Sequence, residues 1–212
     1  MNQHEMALSK VITRTFGAPR GFLGRLGGRL MTIEHAGIYR YVVDILEVDP
    51  GDRILEVGCG SGAATALVAA RVTNGMAAAT DPSHVMIAQA RRRLRAEIAA
   101  GRAEAVQAPA EKLPFSEESF TGAFAIFTLH HWDVPEQGLR EILRVLRPGG
   151  RLVIAEHVHS HDHRAHSPSE MGEDFVAESV KLLSKVGFVE VEQSEREVGK
   201  RKLVVLLARQ GG

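Results

Sequence analysis

The chain has 212 residues, 44% of them hydrophobic and 25% charged, enough for one large globular domain with a substantial core. Its 26 Lys and Arg are balanced by 26 Asp and Glu, which gives no electrostatic ground for a nucleic-acid backbone as partner. No apolar run approaches the roughly 20 residues of a membrane span; Cys59 is the only cysteine, and Met1–Lys10 lacks the apolar core of a signal peptide, so a cytoplasmic setting without disulfides is expected.

Residues 1–50 do not open with a strand. Phe16–Gly28 is rich in Gly and Arg without clean periodicity, Ile33–Leu46 has helical character, and Asp49-Pro50-Gly51-Asp52 is a strong turn signal. The division expected is an N-terminal, substrate-side cap over 1–50 and a main ligand-binding domain over 51–212. From Arg53 strands and helices alternate. Arg53–Val57 reads as a strand, Ala63–Val72 as a helix with Ala63, Ala66, Leu67 and Ala70 at helical spacing, and Met76–Thr80 as a second strand closed by Asp81. Ser83 is placed to cap a helix running toward Ala100, with Met86, Ala90, Leu94 and Ile98 on one stripe. Ala103–Gln107 and the almost wholly apolar Phe120–Phe127 are the third and fourth strands. Pro135 opens a helix with Leu139, Ile142, Leu143 and Leu146 inward and Arg140, Arg144 and Arg147 outward, and Pro148-Gly149-Gly150 stops it. Arg151–Ala155 is a fifth strand and Glu173–Val186 a helix ended by Gly187. Val189–Glu195 and Leu203–Ala208 are the last strands, and their direct connection implies an antiparallel pair.

This alternation predicts an α/β fold: a Rossmann-like seven-stranded sheet, six strands parallel and the last antiparallel, with helices on both faces and an N-terminal helical cap. Ligands of such sheets sit beyond the carboxyl ends of the strands, at the point where strand order reverses. Gly58–Gly62, Asp81, Ala108–Glu111 and Thr128–Trp132 all fall at such ends. A strand feeding a glycine-dense turn and then a helix can bring backbone N–H groups up to an anionic part of a nucleotide-like ligand. A carboxylate at Asp81 can accept both hydroxyls of a ribose. Gly58, Gly60 and Ala63 loosely satisfy the dinucleotide fingerprint. Against NAD stand the long segment before the first strand, the third glycine at Gly62 and the antiparallel C-terminal pair.

The ordered set Glu56-Val-Gly-Cys-Gly-Ser-Gly62, Asp81, Glu111-Lys-Leu-Pro-Phe115, Ser119-Phe120, Leu129-His-His-Trp132 and Leu146-Arg-Pro-Gly-Gly-Arg-Leu152 resembles the class I S-adenosylmethionine (SAM) methyltransferases. It is most similar to the small-molecule branch that includes ubiquinone/menaquinone-type C-methyltransferases. The resemblance implies transfer of a methyl group from SAM to a small-molecule acceptor by in-line displacement. It implies a cofactor-contact set of Glu56, Gly58, Cys59, Gly60, Gly62, Asp81, Pro82, Met86, Ala110, Glu111 and Phe127. Within it the SAM amino group lies near the Gly58 carbonyl, Glu56 organises the loop and Asp81 holds the ribose. A β-carbon at Gly58 or Gly60 would press on the methionine part. Where relatives commonly read Gly-Asp-Ala-Glu, this chain reads Ala108-Pro-Ala-Glu111. Pro109 removes the acceptor for the adenine amino group, leaving the Ala110 N–H and packing from Val85 and Met86. Thr121 likewise stands where an Asp is common.

His130 and His131 are the candidate catalytic residues, since a histidine beside the acceptor can remove a proton; shaping the pocket is the alternative role. Met31, Tyr39, His131, Trp132 and His157 are the candidate acceptor-side residues, with Trp132 read as packing more than as a stacking platform. Phe127-Thr-Leu-His130 departs from the tetrapeptide of base N-methyltransferases, a further point against nucleic acid. His157, His159, His161 and His163 alternate, with His166 beyond; metal binding, a substrate loop and a solvated loop all remain open, and no metal ligand is assigned. Arg91-Arg-Arg-Leu-Arg95 is read as a mainly solvated face. Arg14, Arg20, Arg25 and Arg29 could meet an anionic substrate or lipid surface, with a mobile cap the preferred reading. The oligomeric state is open, with a homodimer one arrangement to test. A SAM-binding protein without catalysis is the alternative to an enzyme, and an NAD-dependent oxidoreductase the weaker one.

Overall fold

The computed structural model describes residues 35–157, 173–198 and 201–212. Met31, the Gly- and Arg-rich stretch, and His159–His166 lie outside the described residues. The elements in chain order are α1 (Ala36–Ile45), β1 (Arg53–Val57), α2 (Ala63–Ala69), β2 (Met76–Asp81), α3 (His84–Arg93), α4 (Arg95–Ala99), β3 (Ala103–Gln107), β4 (Phe120–Ile126), a 3₁₀ turn (Leu129–His131), α5 (Pro135–Val145), β5 (Leu146–His157), α6 (Glu173–Val186), β6 (Phe188–Val198) and β7 (Arg201–Gln210).

The seven strands form one sheet in the order β3-β2-β1-β4-β5-β7-β6. All neighbours are parallel except those of β7, which runs antiparallel to β5 and to β6. Six strands thus share a direction and the last opposes them, as the element pattern predicts. Strand order reverses between β1 and β4, paired as Ile54 to Gly122 and Glu56 to Phe124. Their carboxyl ends therefore open the crevice where an α/β sheet takes its ligands.

Alternation along the strands sorts the core into two faces. Leu55, Ala123, Ala125, Leu152, Ile154, Val204 and Leu206 pack under Leu139, Ile142 and Val145 of α5 and Leu183 and Val186 of α6. Ile54, Phe124, Ile126, Val153, Ala155, Leu203 and Val205 pack under Ile38, Val42 and Val43 of α1 and Ala64, Val68 and Ala69 of α2. Val42, Val43 and the following Leu46 are fully buried, each contributing about 1.5–3 kcal/mol of apolar burial. Helix α1 is thus built into the core. A third cluster seats α3 on the sheet through Ile87 and Ala90 against Ala79 and Ala105, with Cys59.

Several boundaries differ from the sequence pattern, the helix opened at Ala63 ending at Ala69 among them, and two have a visible cause. The helix after Ser83 breaks at Leu94 (φ −91°, ψ 13°), which closes α3 and opens α4; Leu94 is fully buried and keeps its core position across the break. Helix α5 stops at Val145, ahead of Pro148. A residue before proline is pushed to extended backbone, and Leu146 already has ψ 140°. Leu146 pairs with Phe120 as the start of β5, and the Pro148-Gly149-Gly150 segment makes a register shift before Arg151 meets Gly122. Arg144, expected outward, is half-buried: it donates to the carbonyls of Phe115 (2.8 Å) and Leu113 (3.2 Å) and pairs with Glu141. Thr121 bonds both backbone groups of Arg53, tying the start of β4 to β1.

Candidate active site

The turn after β1 needs three glycines for three different reasons. All have positive φ: Gly58 78°, Gly60 51° and Gly62 74°, a region that disfavours a β-carbon. A Cβ on Gly58 would lie 2.5 Å from Thr128 Cγ2, and one on Gly62 would lie 2.9 Å from Ala90 Cβ, whereas one on Gly60 would meet nothing within 4 Å. Gly58 is thus pressed by the protein's own Thr128, Gly62 lets α2 approach α3, and Gly60 alone faces open space.

Four amides of this turn are engaged within the protein. Gly58 and Cys59 N–H both donate to the Thr80 carbonyl (2.8 and 2.9 Å), and Gly62 N–H donates to the Cys59 carbonyl (2.9 Å). Gly60 N–H donates to Asp81 Oδ2 (2.9 Å) and Ser83 N–H to Asp81 Oδ1 (2.8 Å). These four amides are therefore not free for a pyrophosphate, and the turn carries a carboxylate of its own. Each Asp81 oxygen accepts one backbone N–H, which leaves an acceptor site on each. Burial raises the Asp81 pKa, against the charge-favouring bonds from Ser83 and Gly60.

Glu56 lies deeper. Its carboxylate accepts the Thr65 hydroxyl and backbone N–H, tying β1 to the first turn of α2. Burial pushes its pKa up to about 8, those bonds pull it back, and the charge on Asp81 adds to the rise. Tyr39, from α1, is raised to about 12 by burial and then by the Glu56 charge. Arg93 of α3 is the cation felt by both Glu56 and Tyr39, and it donates to the Ser61 carbonyl (3.0 Å). Arg91 likewise holds the Ala105 carbonyl (2.8 Å), so the arginine run is exposed yet two of its members anchor backbone. The Cys59 thiol is buried in the third core cluster, and burial raises its pKa well above the usual range.

At the end of β2, Ala108 N–H donates to the Asp81 carbonyl (3.2 Å) and Gln107 Nε2 to the carbonyl of Pro82, itself exposed (2.9 Å). Ser83 Oγ caps α3 at the Met86 amide (3.4 Å), and Met86 and Ala110 are buried. Glu111 is turned elsewhere: its carboxylate accepts the Val134 N–H (3.1 Å) at the start of α5.

The segment after β4 forms the other wall. Phe127 takes φ 56°, rare for a residue with a β-carbon, and is held by a bond from its N–H to the Ala155 carbonyl (2.9 Å). Its ring stacks on His157 at 3.8 Å and meets His35 edge-on at 5.0 Å, and Tyr39 lies 6.0 Å from His35. Thr128 donates to the Val57 carbonyl (3.2 Å). Glu156, on β5, accepts the Leu129 N–H at Oε1 and contacts His130 Nδ1 at Oε2, both at 2.9 Å. The His130 and His131 rings lie 3.9 Å apart. His131 is exposed, yet neighbouring chain removes enough solvent, and the His130 charge opposes a second one, that its pKa falls to about 4. The Trp132 ring packs on Gly138 of α5, where a Cβ would lie 2.6 Å from it.

The structure thus gathers Glu56, the glycine turn, Asp81, Tyr39, Phe127, His130 and His157 at the carboxyl ends of β1, β2, β4 and β5. It turns the side chains of Cys59, Glu111 and Trp132 to other work. Sequence reasoning missed Glu156 and Thr65, placed Thr128 in the site segment without a role, and read Arg93 only as part of a solvated face. Glu156 had a signal: a lone charge closing the apolar run Val153-Ile154-Ala155. Among the described residues no cluster of His, Cys, Asp and Glu suits a metal ion, and no helix is long and apolar enough to cross a membrane. The residues present fit SAM: the free acceptor sites of Asp81 suit two ribose hydroxyls, and the buried carboxyl groups of Glu56 and Asp81 suit a ligand that brings positive charge.

Residues 55–154 match the methyltransferase domain family. A demethylmenaquinone methyltransferase of Clavibacter sepedonicus is 42% identical over 106 residues, which are 50% of this chain and 41% of that protein. A ubiquinone/menaquinone biosynthesis C-methyltransferase UbiE of Ectopseudomonas mendocina (strain ymp) is 37% identical over 118 residues, 55% of this chain and 46% of that one. The chain spans less than half the length of these two relatives. A SAM-dependent methyltransferase from Aquifex aeolicus has the same fold, with a TM-score of 0.68 at 23% identity over 81% of this chain and 88% of that one.

Proposed function

We propose that this chain, which carries a methyltransferase domain over residues 55–154, transfers the methyl group of SAM to a small-molecule acceptor. The observation that carries the reading is the glycine turn, whose Gly58, Cys59, Gly60 and Gly62 amides are engaged internally beside two buried carboxyl groups. Carboxyl groups at the turn repel a pyrophosphate and favour a ligand that brings positive charge.

When bound, SAM supplies a methyl group made electrophilic by its sulfonium sulfur. Asp81 accepts the ribose hydroxyls at the acceptor sites that Gly60 and Ser83 leave. The open face at Gly60 admits the methionine part beside Gly58, with Glu56 and the Gly62 turn supporting it. Ala110 N–H and Met86 flank the adenine, where Pro109 offers no carboxylate. Tyr39, Phe127 and His157 form the acceptor wall, in an N-terminal acceptor side over 1–50 joined to a transfer domain over 51–212. His130 would accept the proton that the acceptor loses when it takes the methyl group that SAM supplies, S-adenosylhomocysteine being the leaving group. His131, with its pKa near 4, is a weak base at neutral pH and shapes the pocket instead. Alignment for in-line attack supplies most of the acceleration.

Incubation with methyl-labelled SAM and a metabolite extract tests the reading. A labelled small molecule should form, with one S-adenosylhomocysteine released per methyl group. Binding of SAM without any labelled product would leave a SAM-binding protein without catalysis. Thermal stabilisation by NAD and not by SAM would overturn the cofactor.

A further inference from the structure

We infer that Glu156 is a positioning residue that holds His130 as its Nδ1–H tautomer and leaves Nε2 bare to take the proton. The inference rests on the base role proposed for His130. Oε1 of Glu156 accepts the Leu129 N–H and Oε2 contacts His130 Nδ1, each at 2.9 Å. An ionised carboxylate has lone pairs and no donor, so the ring nitrogen facing it carries the hydrogen. In a neutral imidazole the other nitrogen is then the acceptor. The contact is also well shielded: the side chains of His130 and Glu156 are 12% and 5% exposed, so water competes little for either partner.

The same carboxylate sets the backbone that carries the ring. By holding the Leu129 amide it fixes the 3₁₀ turn in which His131 N–H donates to the Thr128 carbonyl (2.9 Å) and Trp132 N–H to the Leu129 carbonyl (3.2 Å). One side chain on β5 thus determines where the His130 ring starts and which of its nitrogens is free. A buried carboxylate orienting a base is the logic of nucleophile–base–orienter triads. Here the base would act on the acceptor itself. As the proton arrives on Nε2 the ring becomes an imidazolium, and the adjacent Glu156 carboxylate stabilises that charge.

Nitrogen NMR on the full chain with labelled histidine, with His130→Gln used to assign the resonance, reads the tautomer directly and needs no acceptor. Wild-type His130 should be protonated at Nδ1 with Nε2 bare. In Glu156→Gln the amide oxygen keeps the Leu129 N–H while the amide nitrogen donates to Nδ1, which drives the hydrogen to Nε2. That variant should bind SAM with unchanged affinity and lose about 10²-fold or more in kcat on the acceptor recovered from the labelled extract. A purely structural role would leave the tautomer where it was. Wild-type protonation at Nε2, an unchanged tautomer in Glu156→Gln, or wild-type kcat in that variant would each overturn the positioning role. The base reading fails separately: His130→Ala would then turn over at the wild-type rate whatever the tautomer.

Discussion

The two walls of the crevice are assembled from bonds of different reach. On the cofactor side, Asp81 bonds Ser83 two residues away and Gly60 21 residues away, and Glu56 bonds Thr65 nine residues away. All lie within or just beyond one strand–helix–strand unit. On the acceptor side, Leu129 and His130 depend on Glu156, 27 and 26 residues onward, and Thr128 reaches Val57, 71 residues back. A wall built from near neighbours keeps its spacing in the chain and can be recognised there. A wall built across β4 and β5 exists only once those strands pair. The two meet where Gly58 lies against Thr128.

The largest expected effect separates the walls by pH. Glu56 has a folded pKa of about 8, above its ordinary 4.5. A raised carboxyl pKa means the folded state favours the protonated form. Its contribution to stability is therefore complete below about 4.5 and is lost as pH rises through about 8. Denaturant melts of the ligand-free protein between these pH values should show a decline on the order of a few kcal/mol, much reduced in Glu56→Gln. Superposable profiles for the two proteins would remove Glu56 as the source. Because a cation beside Glu56 favours its ionised form, SAM binding near pH 7 should also expel protons, seen by calorimetry in buffers of different ionisation heat.

Where the walls touch, Gly58→Ala should cost about 2–4 kcal/mol, from overpacking against Thr128 and from a left-handed φ. Thr128→Gly should recover the packing part and not the φ part, giving a coupling of about 1–2 kcal/mol in a double-mutant cycle. Gly60→Ala, with open space around it, should lose only the conformational part, about 1–2 kcal/mol. Equal losses at the two glycines would mean that Thr128 is not the constraint.

A smaller effect, confined to the cofactor wall, is expected for Asp81→Ala. SAM affinity should fall by about 1.5–3 kcal/mol, roughly 10- to 150-fold in Kd, by calorimetry. Unchanged affinity would sink the ribose role.

Much of the local geometry of the proposed cofactor wall was legible beforehand. Gly58, Gly60 and Gly62 mark a strand-to-helix turn because they stand between a strand-like apolar run and an alanine-rich helical one, and Asp81 closes an alanine-rich strand where a charge is conspicuous. The reason for Gly58 was not legible, since Thr128 reaches it from β4. On the acceptor side the pattern offered His130 and His131 as equals. Their contacts separate them: a buried carboxylate faces one, and partial burial depresses the other's pKa to about 4. Glu111, a cofactor candidate by resemblance, and Trp132, an acceptor-side candidate read mainly as packing, both contact the start of α5.

The order of strands and helices, the two-faced core and the sheet's antiparallel end follow from the chain itself, because hydrophobic period and turn chemistry are local properties that survive without a partner. Which glycine faces a ligand, whether the turn's amides are free, and which histidine is held by a carboxylate were decided only in the folded protein. Each depends on a group brought in by a different strand, and its identity cannot be read from spacing until the sheet has set the strand order.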